Sequence, residues 1–121
     1  MPWKKLLLDE DPISISDVTK VATPQSVQAT ALGNTAVWTP ASGKAVRAKL
    51  IHVWNNGTAD ITVYLRFGVA GNARFRTLLG AKTGWIANLI AANWQGAADE
   101  VLYVNLSVAG TVDVTVLGDE V

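Results

Sequence analysis

The sequence predicts an all-β protein: a single antiparallel β-sandwich, jelly-roll or immunoglobulin-like, with about seven to eight strands and an extended N-terminal arm. Three observations lead there. Half of the 121 residues are hydrophobic, so one core can form in a single domain without covalent staples. Val and Thr recur along the chain, and their branched Cβ atoms suit a pleated, half-buried surface. Apolar and polar residues alternate with period two in short runs, broken by turn residues roughly every eight to twelve positions.

Residues 1–23 stand apart and read as the arm, with residues 24–121 as the sandwich. The arm opens on Trp3, Lys4 and Lys5, continues through Leu6, Leu7 and Leu8, and meets an acidic turn at Asp9, Glu10, Asp11 and Pro12. Pro12 removes a backbone donor and restricts its neighbour. The alternation at Ser14, Ile15 and Ser16 is too brief for a core strand. From about Ser26 period two takes over, with Val27, Ala29 and Ala31 against Gln28 and Thr30, and Gly33 with Asn34 marks a turn.

A short strand over residues 35–38 is stopped by Pro40, Ser42 and Gly43. The long run 45–54 puts Val46, Ala48, Leu50, His52 and Trp54 on one face, with Arg47 and Lys49 on the other, joined by Ile51 and Val53 as the run becomes apolar on both sides, so that end is expected to be covered on both faces. Asn55, Asn56, Gly57 and Thr58 predict a reverse turn, because Asn and Gly accept positive φ at low cost. Ile61, Val63, Leu65 and Phe67 then point inward, and Thr62, Tyr64 and Arg66 outward, so the two runs are expected to pair as a hairpin. Residues 68–72 form a further hairpin loop, and the strand over 73–79 directs Phe75 opposite to Arg74 and Arg76.

Residues 85–98 fit two patterns. Ile86, Leu89, Ile90 and Trp94 have helical spacing, while Trp85, Ala87, Leu89 and Ala91 fit a strand. Length and context favour a strand followed by a loop, with a turn of helix over 91–98 as the other possibility. Leu102, Val104, Leu106 and Val108, then Val112, Val114 and Val116, predict a final antiparallel hairpin joined at Ala109 and Gly110, with one buried face. No repeat of fixed period is present, which argues against propellers and solenoids.

The chemistry is sparse. The chain has no cysteine, which excludes disulfide scaffolds, thiolate metal sites and cysteine nucleophiles. His52 is the single histidine, and a lone histidine cannot build a usual zinc site or, without a nucleophile elbow, a triad. The carboxylate pairs Asp99 with Glu100 and Asp119 with Glu120 lie in turns or near the chain end, where acids are solvated caps rather than a glycosidase pair. Asp9, Glu10 and Asp11 lack the spaced pattern of a calcium loop. Gly68 and Gly71 lie between two strands, whereas a phosphate cradle leads into a helix. The expectation is a non-enzyme with no metal or cofactor. Leu6, Leu7 and Leu8 are too short for a signal-peptide core and no run approaches a membrane span, so neither export nor a membrane partner is expected.

Ten basic and ten acidic residues cancel, which argues against a nucleic-acid coat. Their placement is uneven. Residues 44–82 carry Lys44, Arg47, Lys49, Arg66, Arg74, Arg76 and Lys82 against Asp60 alone, while residues 83–121 carry five acids and no Lys or Arg. The two sets either neutralise each other within one molecule or oppose each other between subunits. Trp3, Leu6, Leu7, Leu8, Arg74 and Arg76 are the candidate interface residues. A nucleic-acid patch on Arg66, Arg74 and Arg76 is disfavoured, since no aromatic ladder accompanies it. Of five tryptophans, Trp38, Trp54 and Trp85 adjoin strands and read as core or sheet edge. Trp94 reads as core, as a protein contact, or, with Asn93 and Gln95, as a sugar platform.

The opening MPWKKLLLDEDPISISDV resembles the N-terminal segment of small virion and fibre-type proteins of tailed bacteriophages. Residues 96–116, with G-x-x-x-E-V-L-Y-V-x-L-S followed by A-G-T-V-D-V-T-V, resemble the final strands of their β-sandwiches, and residues 49–67 match more weakly. These are patterns of strand and turn, so no catalytic residue carries over. The resemblance implies a non-enzymatic virion subunit, a capsid decoration or cementing protein or another head, tail or fibre accessory. It implies a homo-oligomer, commonly a trimer, that meets partners such as the major capsid protein and assembles in a bacterial cytoplasm. The rival expectation is a carbohydrate-binding β-sandwich, free or as a receptor-binding fibre tip, with its glycan on Asn93, Trp94 and Gln95.

Overall fold

The computed structural model describes residues 23–69, 75–92 and 94–121. Nine strands occur among them: β1 (Thr23–Ala29), β2 (Gly33–Trp38), β3 (Val46–Asn55), β4 (Ile61–Phe67), β5 (Phe75–Leu79), β6 (Gly84–Asn88), β7 (Trp94–Gln95), β8 (Leu102–Leu106) and β9 (Val112–Glu120). They build two antiparallel sheets. The first has the order β1-β9-β3-β6, with β7 also on β3, and the second the order β2-β8-β4-β5.

The pairs are nested: β4 with β5, β3 with β6 and β7, β2 with β8, β1 with β9. One long antiparallel ribbon has been rolled so that its successive pairs fall in alternate sheets. This is the jelly roll, and it decides between the two sandwich types the sequence left open, since an immunoglobulin domain does not nest its strands this way.

The expected hairpins 45–54 with 61–67 and 102–108 with 112–116 are not ladders. β3 and β9 lie in the first sheet, β4 and β8 in the second. Each chain segment turns a corner between sheets and faces its successor across the core. Period two reports which face a strand buries, and both members of a ladder and both members of a face-to-face pair satisfy it. The antiparallel pairing of β4 with β5 does form as expected, from Ile61 opposite Leu79 to Leu65 opposite Phe75. Residues 84–92 are a strand and a turn, Trp94 and Gln95 a second short strand, and no helix occurs among the described residues.

Between the sheets lie Ile51, Val53, Val63, Leu65, Leu102, Val104, Leu106, Val112, Val114 and Val116, all almost fully buried. On β3 the burial of Ile51 and Val53 fits an end covered on both faces, but His52 is exposed and the alternation is interrupted. Ala48 pairs Gly118 but Leu50 pairs Leu117, so Lys49 is an extra residue, a β-bulge. The face flips there. Val46 and Ala48 point inward before the bulge, Ile51, Val53 and Asn55 after it, leaving Leu50, His52 and Trp54 outside. On the other flank of β3, the Leu89 N–H donates to the Lys49 carbonyl at 2.7 Å, where β6 ends and the chain loops before β7.

Opposite the bulge the backbones come so close that a Cβ at Gly118 would lie 2.1 Å from the Arg47 carbonyl oxygen. Gly118→Ala is therefore expected to lower stability by about 2–4 kcal/mol, or to block folding. Urea unfolding followed by tryptophan fluorescence measures it.

Asn55, at the end of β3, was legible only as a turn former and is instead the one buried polar residue among the described set, 1 % exposed. Its Nδ2 donates to the carbonyls of Ala59 (2.8 Å), Gly80 (3.1 Å) and Leu79 (3.2 Å), and its Oδ1 accepts from the Gly57 N–H at 2.9 Å. One side chain thus ties the β3–β4 corner to the β5–β6 turn, and Lys82 Nζ reinforces the link by donating to the Asn56 carbonyl at 2.7 Å. Asn55→Ala strands several buried carbonyls and is expected to cost about 2–4 kcal/mol, against under about 1 kcal/mol for Asn56→Ala, which is exposed. Parallel denaturant titrations give both values.

Candidate interaction surfaces

The corners β1–β2, β3–β4 and β8–β9 gather at one end of the sandwich, around an open cleft of about 410 Å³ lined in part by Asn55, Asp60, Ile61, Val108, Gly110 and Thr111. Asp60 is its single carboxylate, and no histidine or amine faces it, so the cleft holds no acid–base pair. The chain's final residue lies at the opposite end, where Val121 and Ala45 exchange backbone hydrogen bonds of 2.8 Å. β1 also enters from that end, since Thr23 lies opposite Gly118.

Trp94 is not a platform. It is 7 % exposed, with its ring 4.7 Å from Phe67 and 4.9 Å from Phe75 between centroids, and Phe75 in turn lies 5.9 Å from Trp85. These four rings close the side of the sandwich where edge strand β5 meets β6 and β7. The Trp94 Nε1 has no hydrogen-bond partner among the described residues, so packing alone holds the ring. Gln95 is exposed, and its Oε1 accepts from Arg47 Nε at 3.4 Å, while Asn93 lies outside the described residues. The proposed sugar site thus loses its stacking surface. The tryptophan is core because β7 pairs β3 and turns its indole inward, which a two-residue strand does not announce in sequence. Trp94→Ala is expected to cost about 3–5 kcal/mol, read as a fall in thermal midpoint.

The outward faces of the two sheets are the remaining large surfaces. On the first, three rows cross from β1 to β6: Gln28–Asp113–Trp54–Gly84, Ser26–Thr115–His52–Ile86 and Pro24–Leu117–Leu50–Asn88. Trp54 lies over Gly84, where a Cβ would come within 2.7 Å of its ring. Ile86 is 61 % exposed, and Leu50 and Leu117 are half-buried. His52 is exposed there, and among the described residues no group of three or more His, Cys, Asp and Glu could hold a metal.

The second face reads Asn34–Asn105–Tyr64–Arg76, Ala36–Tyr103–Arg66 and Thr62–Leu78. Asn105 donates to Asn34 at 2.9 Å, and Leu78 is 68 % exposed. The aromatic accompaniment to the arginines that the sequence hides is here, as Tyr64 and Tyr103 on neighbouring strands. None of the strands β2, β8, β4 and β5 carries an acid.

Charge is therefore sorted by sheet. In the first, Lys49 Nζ lies 3.6 Å from Asp119 Oδ2 and Arg47 is registered against Asp119, so basic and acidic segments do neutralise each other locally. In the second, Arg66 and Arg76 lie on strands that carry no acid, and the Glu100 carboxylate comes within 3.2 Å of the Cβ position of Gly68 just beyond β4. Trp3, Leu6, Leu7, Leu8 and Arg74 lie outside the described residues.

No family model matches the chain, and no curated protein matches it. Among solved structures it is similar to PirA, at 11% identity and TM-score 0.47 over 78% of this chain and 92% of that one. It is similar to the pili of Bacillus endospore appendages, described as disulfide-linked, at 13% identity and TM-score 0.46 over 82% and 87%. It is also similar to the coat protein of Tobacco streak virus, at 10% identity and TM-score 0.30 over 79% and 87%. At these scores none assigns a role, and the jelly roll rests on the strand pairing itself.

Proposed function

We propose that this chain is a non-enzymatic structural subunit of a tailed-phage virion, a capsid decoration or cementing protein or a similar accessory, acting through self-association and docking of its N-terminal segment. One observation carries the reading. Both outward faces hold large apolar and aromatic side chains, Trp54, Leu50, Leu117 and Ile86 on one and Tyr64, Tyr103 and Leu78 on the other. A sandwich whose outer faces meet only water is polar there, and enrichment in Trp, Tyr and Arg marks contact surfaces.

The segment 1–22 adds Trp3 with Leu6, Leu7 and Leu8 to the same inventory. Burying such side chains on a neighbour contributes about 1.5–3 kcal/mol each before ordering costs. In this reading the sandwich is a rigid body, the segment is the strap, a homotrimer is the favoured assembly, and the major capsid protein is the larger partner, met in the bacterial cytoplasm.

A chain beginning at Ala22 is expected to remain folded by circular dichroism and to need at least about tenfold higher concentration to assemble. Light scattering after size exclusion measures this for both chains. Equal assembly of the two would refute docking by the segment.

A further inference from the structure

We propose that the outward face of the first sheet, centred on Leu50, Trp54 and Ile86, receives Trp3, Leu6, Leu7 and Leu8 from the N-terminal segment of a second copy. This rests on the self-association reading and names the surface through which it works.

What this face leaves open is apolar. Leu117 on β9 and Leu50 on β3 stand side by side in one row, with Pro24 on β1 beyond Leu117. Ile86 on β6 is one row further, diagonal to Leu50, and 61 % exposed. Trp54 follows in the next row and lies over Gly84, whose missing side chain leaves room for the indole against the sheet. The indole is only half-buried, so part of it is open to an incoming ring. The polar groups on β1 and β9 are engaged with each other, Ser26 Oγ with Thr115 Oγ1 at 3.1 Å and Asp113 accepting from Gln28 Nε2 at 2.9 Å.

Three observations select the occupant. The first is where the chain enters. β1 is an edge strand of this sheet, Thr23 is opposite Gly118, and Pro24 stands in the Leu117–Leu50 row. β1 runs from that row toward the row of Gln28, so its direction at Thr23 points off its own face and toward a neighbour. The second is length and content. Trp3, Leu6, Leu7 and Leu8 fall within six positions, and Leu8 lies fifteen positions before Thr23. Fifteen residues reach up to about 50 Å if extended, more than twice the width of a four-stranded sheet. The third is area. Four strands about 4.8 Å apart, with outward rows about 7 Å apart, make roughly 400 Å² of sheet. Each partner in a stable interface contributes about 800 Å². Two bare faces pressed together fall short, whereas a segment brings apolar surface of its own and ties the subunits. Each copy then gives a segment and receives one, a heterologous contact that closes into a ring.

The test uses three variants of the full chain: Ile86→Asp on the face, the double change Trp3→Asp with Leu7→Asp in the segment, and Leu78→Asp, a control on the second sheet at a residue 68 % exposed. Mass is measured by light scattering over a range of concentration, with circular dichroism as the fold control. The face variant and the segment variant are each expected to raise the concentration for assembly at least about tenfold, and Leu78→Asp to change it less than about twofold. An equal mixture of the face variant and the segment variant is expected to form a dimer that neither forms alone, since one supplies an intact segment and the other an intact face.

Assembly that is lost on removing residues 1–22 but indifferent to Ile86→Asp, or sensitive to Leu78→Asp instead, would overturn this placement while leaving the segment's role intact. Loss in both variants with no dimer in their mixture would assign the face to its counterpart on a second copy or to the segment of its own chain, and would overturn the exchange. A wild type that is monomeric throughout would overturn both this placement and the self-association reading.

Discussion

The pairing of β3 with β9 is the constraint on which the remaining structure depends. Its register runs from Val46 opposite Glu120 to Asn55 opposite Val112, down the middle of the first sheet. A single extra residue, Lys49, interrupts it, and the close approach of Arg47 to Gly118 fits there because position 118 has no Cβ. Everything on β3 beyond that point is turned over. Ile51 and Val53 reach the core, Asn55 arrives at the corner with its amide inward, and Leu50, His52 and Trp54 are delivered to the outer face. A regular β3 would have buried a histidine and exposed an isoleucine and a valine.

From that one slip follow the two ends and the two faces of the molecule. At the corner end, Asn55 gathers carbonyls from two turns that lie far apart in sequence, so one side chain links both turns. At the side, the bulge separates β6 from β7, and the chain between them brings Trp94 back under Phe67 and Phe75. The side of the sandwich is closed by aromatic rings, which removes from the surface the tryptophan with the most sugar-like neighbours in sequence.

The faces differ in kind. The first sheet carries acids and bases in near register and so is locally balanced, with Trp54, Leu50 and Leu117 on its outward face. The second carries arginines and tyrosines on strands that contain no acid.

The sequence by itself determined the class of the protein. Period two at Ile61–Phe67, Leu102–Leu106 and residues 112–116 specified strands with one buried face, and the inward residues named from it are those in the core, except Val108, which lies past the end of β8 and is 50 % exposed. It also established the absence of cysteine and the segregation of charge, which are properties of the chain. Only the tertiary structure decided who pairs with whom. Alternation is a local property of one strand, and it is the same whether the neighbour in sequence lies beside the strand or across the core. Nested pairs such as β1 with β9 close over most of the chain, so nothing local encodes them. The bulge at Lys49, the inward turn of Asn55 and Trp94, and the meeting of Tyr64, Tyr103 and Arg76 on one face all depend on those distant partners, and for that reason the candidate surface was illegible until the chain was rolled.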